Sequence, residues 1–324
     1  MGRYILQRLI AAIATFFVIL TLVFFVINAI PGDVLDSIIM IGGPNGVTQD
    51  TIEAVKAKYG FDKPLPVQYV RMLANYIRFD FGISLVVRVN QPVFDIIKTR
   101  LPITIQLNYL AVLVILPLGM FFGISMALRK NSVYDHAMSV VVIIFISMPQ
   151  FVIAALLQYF LAFKFGWFPI LLAPEANFNL VKLHSMILPV FAISFGSIAT
   201  IARMLRAELS EVLTSDFMLL ARAKGQTYAQ TILRHALRNA IVPMTATFLY
   251  LFLGVLSSSL VIEYIFSVPG LSRLMIASLS TNDHQVTLAI VYFYTIIALI
   301  MSIIVDLSYG IIDPRIRMGG HKDE

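Results

Sequence analysis

Long uncharged segments alternate with short polar segments along this chain. Six segments of 20 to 28 residues contain no Asp, Glu, Lys or Arg, and they cover residues 9–30, 101–128, 137–163, 183–202, 239–262 and 285–305. A helix needs about 20 apolar residues to cross the hydrocarbon core of a bilayer. The pattern therefore predicts an all-α polytopic membrane protein with six transmembrane helices.

The first apolar segment favours a permanent span over a cleaved signal peptide. The apolar part of a signal peptide is about 7–15 residues long and leads to a small-residue cleavage site. The segment 9–30 is longer and is followed by Pro31 and Gly32. In the second span, Pro102 lies near the predicted start, where proline is tolerated, and Pro117 predicts a kink in the middle. Pro149 lies inside the third span.

Residues 31–100 form a mixed segment between the first two spans, with eight basic and seven acidic residues. Apolar residues at helical spacing within 51–59 and 68–79 predict two short helices. About 70 residues without a disulfide would have a marginal core of their own. We therefore expect residues 31–100 to form a small, partly helical extracytoplasmic insertion. The N-terminal segment and the first span together occupy residues 1–30.

Basic residues are distributed unevenly among the polar segments. Hydrophobic residues make up 59% of the chain and charged residues 13%, whereas soluble domains are about half apolar and a quarter charged. With both termini inside, the inner segments hold thirteen Lys and Arg residues and the two short outer loops hold three. Because cytoplasmic loops are enriched in Lys and Arg, both termini are predicted to be cytoplasmic. The net charge of +6 then requires no nucleic-acid partner.

The sequence lacks the patterns of common catalytic and metal sites. It has no cysteine, no P-loop pattern and no H-E-x-x-H, and its five histidines are scattered. A membrane proton relay needs acidic or histidine side chains inside the spans. Glu263 and Asp306 fall at the ends of predicted spans, so we expect both to be interfacial rather than buried. The pattern predicts no catalytic, cofactor or metal site on this chain.

A few polar residues interrupt the predicted spans. Such side chains commonly form hydrogen bonds between helices or allow close helix packing. The alternative is that some of them line a path for a solute. The candidates for that path are Asn108, Gln158, Ser257 and Ser258.

The polar segment 203–240 has a helix–turn–helix pattern. Asp216 is placed to cap a short helix, and a second helix is predicted from about Tyr228. Ala221, Ala223 and Gly225 are small enough for another backbone to approach, and Gly225 gives the turn conformational freedom. An ordinary solvated loop would explain the polarity, but this segment is long for one. We therefore expect a docking surface for another protein.

Two short motifs stand out in this segment: residues 221–225 are ARAKG, and residues 234–240 are RHALRNA, followed by Pro243. With these motifs, the segment resembles the EAA loop in the membrane subunits of ABC importers, in the form found in B-type permeases of dipeptide and oligopeptide systems. The glutamate that names the general motif is absent, and its place falls near Leu219. Residues 80–84 (DFGIS), 100–104 (RLPIT) and 313–317 (DPRIR) also match motifs of this family in the same order.

The resemblance implies a type I ABC importer permease fold, with a five-span core at 101–310 and a cytoplasmic tail at 311–324. It implies a second homologous permease subunit, two ABC ATPase subunits that carry ATP and Mg, an extracytoplasmic peptide-binding protein and peptide cargo. The membrane would be the cell membrane of a bacterium or archaeon. The residues expected to couple the chain to an ATPase are Asp216, Leu220, Ala221, Arg222, Ala223, Lys224, Gly225 and His235.

Three alternatives differ in cargo or class. Permeases for nickel chelates, glutathione or other small solutes share the same motifs. A stand-alone carrier or channel is disfavoured by the lack of charges inside the spans and by the large inner segment. A membrane-embedded enzyme would need a convergent set of acids, bases or metal ligands, which the sequence does not suggest.

Overall fold

The protein is a helical chain in the part that the structure describes. The computed structural model describes residues 2–30, 53, 56–57, 60–174, 178–256 and 259–312, with only the backbone described at 2–4, 256 and 309–312. The helices are α1 (Gly2–Ala29), α2 (Leu65–Ile77), α3 (Val93–Leu128), α4 (Val133–Ser147), α5 (Gln150–Leu157), α6 (Leu180–Val212), α7 (Asp216–Ala223), α8 (Tyr228–Leu253), α9 (Leu260–Ile265), α10 (Leu271–Ser280) and α11 (His284–Ile312). Within α8, Ile232–Ala236 is π-helical and Val242–Met244 is 3₁₀-helical.

Five of these helices are long and apolar enough to cross a membrane, and a bent pair brings the count to six. The five are α1, α3, α6, α8 and α11, and the pair is α4 with α5 and its π-helical continuation Gln158–Lys164. The predicted fold class, an all-α polytopic membrane protein with six spans, is confirmed with the pair counted as one span.

The third span, predicted at 137–163 with Pro149 inside it, consists of two helices. The two halves meet at an angle of 104°. Met148 ends α4 in an extended conformation, and Pro149 is the N-cap of α5. Proline has no N–H to donate and disfavours the helical conformation in the residue before it. Pro149 therefore divides the segment instead of lying inside a continuous helix.

The other boundaries also differ from the predicted ones, and several helices begin before or end after the apolar residues. α3 begins at Val93, so Pro102 lies well inside it rather than near its start. The fourth apolar segment was predicted at 183–202, but α6 continues to Val212. The fifth was predicted at 239–262, whereas α8 begins at Tyr228 and ends at Leu253. Charged residues that flank an apolar segment thus belong to the same helix as that segment. The reason is that the backbone hydrogen bonds of a helix do not depend on whether its side chains are apolar.

The chain divides into two compact units, of which one comprises Met1–Pro102 and Pro269–Glu324. Its core lies where α1, α2 and α11 meet. Leu20 and Phe24 of α1, Tyr76 of α2, and Ala289 and Ile290 of α11 are buried in one cluster.

The second unit comprises Ile103–Val268. In this unit α4 and α5 pack along α6, and α9 packs against α5. Leu107 and Ile115 of α3, Leu205 and Leu209 of α6, and Met218 of α7 belong to one buried cluster. The short helix α7 is therefore anchored to the core of its unit through one face.

Candidate functional site: the short helix between the fourth and fifth spans

Helix α7 presents apolar side chains to the solvent. Met218 and Ala221 face the protein and are buried. Phe217, Leu219 and Leu220 are exposed, with 64% of Leu219 and 58% of Leu220 accessible. Clustered exposed apolar residues on a polar segment commonly mark an interaction site. We call Phe217, Leu219 and Leu220 the apolar knob.

The turn after α7 is a Schellman motif, which explains the glycine at its centre. Gly225 has φ of +83°, in the left-handed region that other residues rarely adopt. Its N–H donates to the Arg222 carbonyl at 2.9 Å, and the Gln226 N–H donates to the Ala221 carbonyl at 3.4 Å. This pair of bonds is the pattern that closes a helix end. A Cβ added at Gly225 would have no atom within 4 Å.

The next helix starts where the sequence predicts, at Tyr228. Thr227 and Gln230 form a capping box, in which each side chain accepts a hydrogen bond from the other residue's backbone N–H. The Arg222 guanidinium lies 5.0 Å from the centre of the Tyr228 ring, a cation–π contact across the turn. The capping box and this contact fix the orientation of α7 relative to the start of α8.

The structure places the predicted coupling residues in different environments. Arg222, Ala223 and Lys224 are exposed, as a docking surface requires. Ala221 is buried against its own protein, so its small size serves internal packing. His235 lies in a π-helical turn, Ile232–Ala236, with its Nε2 enclosed. These residues therefore do not form one continuous docking surface.

The expectation that Asp216 caps α7 is wrong. Ser215 is the N-cap residue, and its hydroxyl donates to the Val212 carbonyl at 2.6 Å instead of bonding the helix. Asp216 is exposed in the first turn. A carboxylate there still interacts favourably with the positive end of the helix dipole.

The proposed path residues form hydrogen bonds to backbone carbonyls of the protein where they are described. The Asn108 amide donates to the Thr104 carbonyl at 2.9 Å. The Gln158 amide donates to the Ile170 carbonyl at 2.8 Å and to the Ile265 carbonyl at 3.4 Å. Ser257 and Ser258 lie outside the described residues. A role of these four residues in a solute path stays a prediction.

Glu263 is buried, so the expectation that it is interfacial rather than buried is wrong. It lies in the first turn of α9 with no accessible surface. The Thr104 hydroxyl donates to its carboxylate at 2.8 Å. Helix packing covers a residue that hydropathy places at the edge of a span. Asp306 is partly exposed and pairs with Arg8 at 3.2 Å.

The sequence reasoning missed an ion pair that anchors the helix leading to α7. Asp135 in the first turn of α4 is fully buried, and Arg206 of α6 binds it through Nε and Nη2, both at 2.6 Å. The Asn131 N–H also donates to this carboxylate at 3.0 Å. Ser132 caps α4 three residues before Asp135. An S-x-x-D pattern indicates a helix start, but the partner is 71 residues away.

The fold and the site together define a class: a polytopic helical membrane protein with an apolar knob on a polar segment between two spans. The family can be stated more closely. Residues 119–318 match the family described as "Binding-protein-dependent transport system inner membrane component", and residues 1–108 match its N-terminal part. The chain belongs to this family, and the resemblance seen in the sequence motifs is confirmed.

Curated relatives resemble the chain over nearly its full length. The dipeptide transport system permease protein DppB of Lactococcus lactis is 35% identical over 98% of this chain and 100% of its own length. The DppB of Bacillus subtilis is also 35% identical, over 98% and 99%. The oligopeptide transport system permease protein OppB of Haemophilus influenzae is 32% identical, over 98% and 100%.

Proposed function

We propose that the chain is a transmembrane subunit of an ATP-driven, binding-protein-dependent importer of dipeptides or oligopeptides. The proposal is supported by its family membership and by full-length relatives whose names specify dipeptide or oligopeptide transport. In the proposed complex, this chain forms part of the path for the peptide through the membrane, and partner chains supply the energy by ATP hydrolysis. ATP and Mg bind to two ATPase subunits.

The observation that carries the coupling role is the apolar knob on α7. Phe217, Leu219 and Leu220 are exposed on a helix that packs onto the core through Met218. Burial of a leucine side chain from water contributes about 1.5–3 kcal/mol, so a hydrophobic cleft on an ATPase would bind this knob. Arg222 and Lys224 flank it and would pair with acidic residues beside the cleft.

The proposed mechanism is mechanical. ATP binding closes the ATPase pair and moves the two docked helices, one from this chain and one from a second permease subunit. The movement of α7 passes into α6, because Met218 of α7 and Leu209 of α6 share one core cluster. The spans then alternate between inward-facing and outward-facing states, and a binding protein delivers the peptide from the extracytoplasmic side.

The direct test is to identify the cargo of the intact complex. The complex is purified with its binding protein, and the bound molecules are identified by mass spectrometry. The proposal predicts peptides, and unlabelled dipeptides or oligopeptides should inhibit the uptake of a labelled captured peptide in reconstituted vesicles. Recovery of a nickel chelate, glutathione or another solute in place of peptides would show that the chain belongs to an importer of the same family with a different cargo.

A further inference from the structure

Helix α2 follows the first span in sequence, yet it packs beside the spans rather than beyond their ends. The hydroxyls of Tyr69 and Thr21 lie 2.6 Å apart, and the Tyr69 ring is 5.3 Å from that of Phe24. At the other end of α2, the Tyr292 hydroxyl donates to the Tyr76 carbonyl at 3.5 Å, with the two rings 5.2 Å apart. The helix therefore contacts both α1 and α11 through its tyrosines.

The positions of these contacts give the depth of α2. Thr21 lies eight residues from the end of α1 at Ala29, and Tyr292 lies eight residues from the start of α11 at His284. At 1.5 Å per residue, each contact is about 12 Å inside the end of its span. Because the contacts of Tyr69 and Tyr76 lie at about the same depth along the two spans, the axis of α2 lies close to the membrane plane.

This depth is within the hydrocarbon region. The spanning part of α1 has 25 residues and is about 37 Å long. The hydrocarbon core is about 30 Å thick. Only a few Å of each end extends beyond it, so α2 lies roughly 8 Å below the surface of the hydrocarbon core.

The faces of α2 fit such a position. Gln68, Arg71 and Asn75 line a cavity of about 320 Å³ together with Asn28 and Gln285, which lie at the ends of α1 and α11. The polar face of α2 is therefore turned toward the aqueous ends of the spans.

A separate face of the same helix is apolar and exposed. Val67, Val70, Ala74 and Ile77 recur at intervals of three and four residues, which places them on one stripe. Val70 is 63% exposed and Ile77 is 73% exposed. We call these four residues the outer stripe.

We infer that the outer stripe is embedded in lipid and that α2 is an in-plane membrane helix, in the leaflet that holds the Ala29 end of α1. A water-soluble binding protein does not reach this depth. The Tyr69 ring lies 6.0 Å from that of Phe25, which is on the exposed apolar side of α1 with Leu22 and Val26. The stripe thus continues a surface that faces acyl chains. Amphipathic helices with this division of faces bind at the boundary of headgroups and acyl chains.

The test uses single cysteines, which the chain permits because it has none of its own. Val70→Cys and Ile77→Cys probe the outer stripe, and Asn75→Cys is the matched control on the polar face. Each variant carries a bimane fluorophore. It is assembled into the complete complex, with cysteine-free partner subunits, in phosphatidylcholine vesicles without binding protein. Quenching is measured with brominated acyl chains in the vesicles and with aqueous iodide.

The inference predicts several-fold stronger quenching by brominated lipid than by iodide at Val70 and Ile77, and the reverse at Asn75. Iodide quenching of both stripe positions to the level of Asn75 would show that the stripe faces water. Quenching by neither agent would show that another subunit covers it. Either result overturns the inference. The readout requires no transport, so it is independent of the identity of the cargo.

Discussion

At the residue scale, the buried acidic side chains each have specific partners. The buried Asp283 accepts hydrogen bonds at one oxygen from the Ser84 hydroxyl at 2.7 Å and from the N–H groups of residues 85–87 at 3.0–3.1 Å. Glu263 and Asp135 have the partners described above. A buried charge without a partner is strongly destabilising. These bonds therefore connect segments far apart in sequence within each unit.

Replacement of Gly225 tests whether the turn after α7 depends on its backbone conformation. Gly225→Val places a β-branched residue at φ of +83°, which is strongly disfavoured. We expect the loss of most peptide-stimulated ATP hydrolysis by the assembled complex, with normal insertion of the chain. The reason is that α7 would lose its C-terminal cap and its orientation. Stimulated ATPase activity in reconstituted vesicles is the measurement.

Gly225→Asn is the matched control, because asparagine tolerates the left-handed conformation. The space around a Cβ at this position is open within the chain, so this variant should keep most of the activity. Equal loss in both variants would show that the glycine is needed for close approach of the partner. Full activity of Gly225→Val would refute a role of this turn in coupling.

At the scale of elements, α3 and α6 approach closely at two glycines. A Cβ added at Gly119 would lie 2.9 Å from the Ile201 side chain, and one at Gly123 would lie 2.8 Å from the Leu205 side chain. The two glycines form a G-x-x-x-G pattern, which brings helices together in membranes. Hydropathy alone does not predict this contact, because it identifies both helices as apolar but does not say which faces pack together.

Gly123→Ala should destabilise the chain. The added methyl group also meets the Ala202 carbonyl at 3.0 Å, and overpacking of this kind costs about 1–3 kcal/mol. Gly254→Ala is the matched control, because a Cβ there has no neighbour within 4 Å. Thermal unfolding of the purified complex is the measurement. A lower midpoint is expected for Gly123→Ala alone, and equal midpoints for the two variants would contradict the close contact.

At the scale of the whole molecule, the distribution of basic residues predicts the orientation. With thirteen Lys and Arg residues in the inner segments and three in the short outer loops, both termini and α7 should be cytoplasmic. Lys164 and Thr214 are exposed and lie in segments predicted to be on opposite sides. They provide a pair of positions for a direct measurement.

Single-cysteine variants at these two positions should differ in their reaction with a membrane-impermeant maleimide. Lys164→Cys should react in intact spheroplasts, whereas Thr214→Cys should react only after the membrane is permeabilised. The absence of native cysteine makes the background from this chain zero. Reaction of Thr214→Cys in intact spheroplasts would reverse the assigned orientation.

Particular residues show how far prediction from the sequence reaches. The start of α8 at Tyr228 and the turn at Gly225 could be predicted, because a capping residue and a glycine act on neighbouring backbone groups. The inward orientation of Ala221 and the burial of Glu263 could not. Both depend on tertiary packing, and helical periodicity does not say which neighbour covers a given face. For Glu263, the partner Thr104 is 159 residues away in sequence.

The sequence by itself determined the class of protein and the number of spans. In lipid, every backbone polar group must be bonded internally, so long uncharged segments have to form helices. Only the tertiary structure decided the 104° bend at Pro149, the pairing of Asp135 with Arg206 and the packing of α2 beside α1 and α11. Local rules allow a helix before and after Pro149, but packing against α6 sets the angle between the halves. Contacts with two spans likewise set the position of α2 beside α1 and α11.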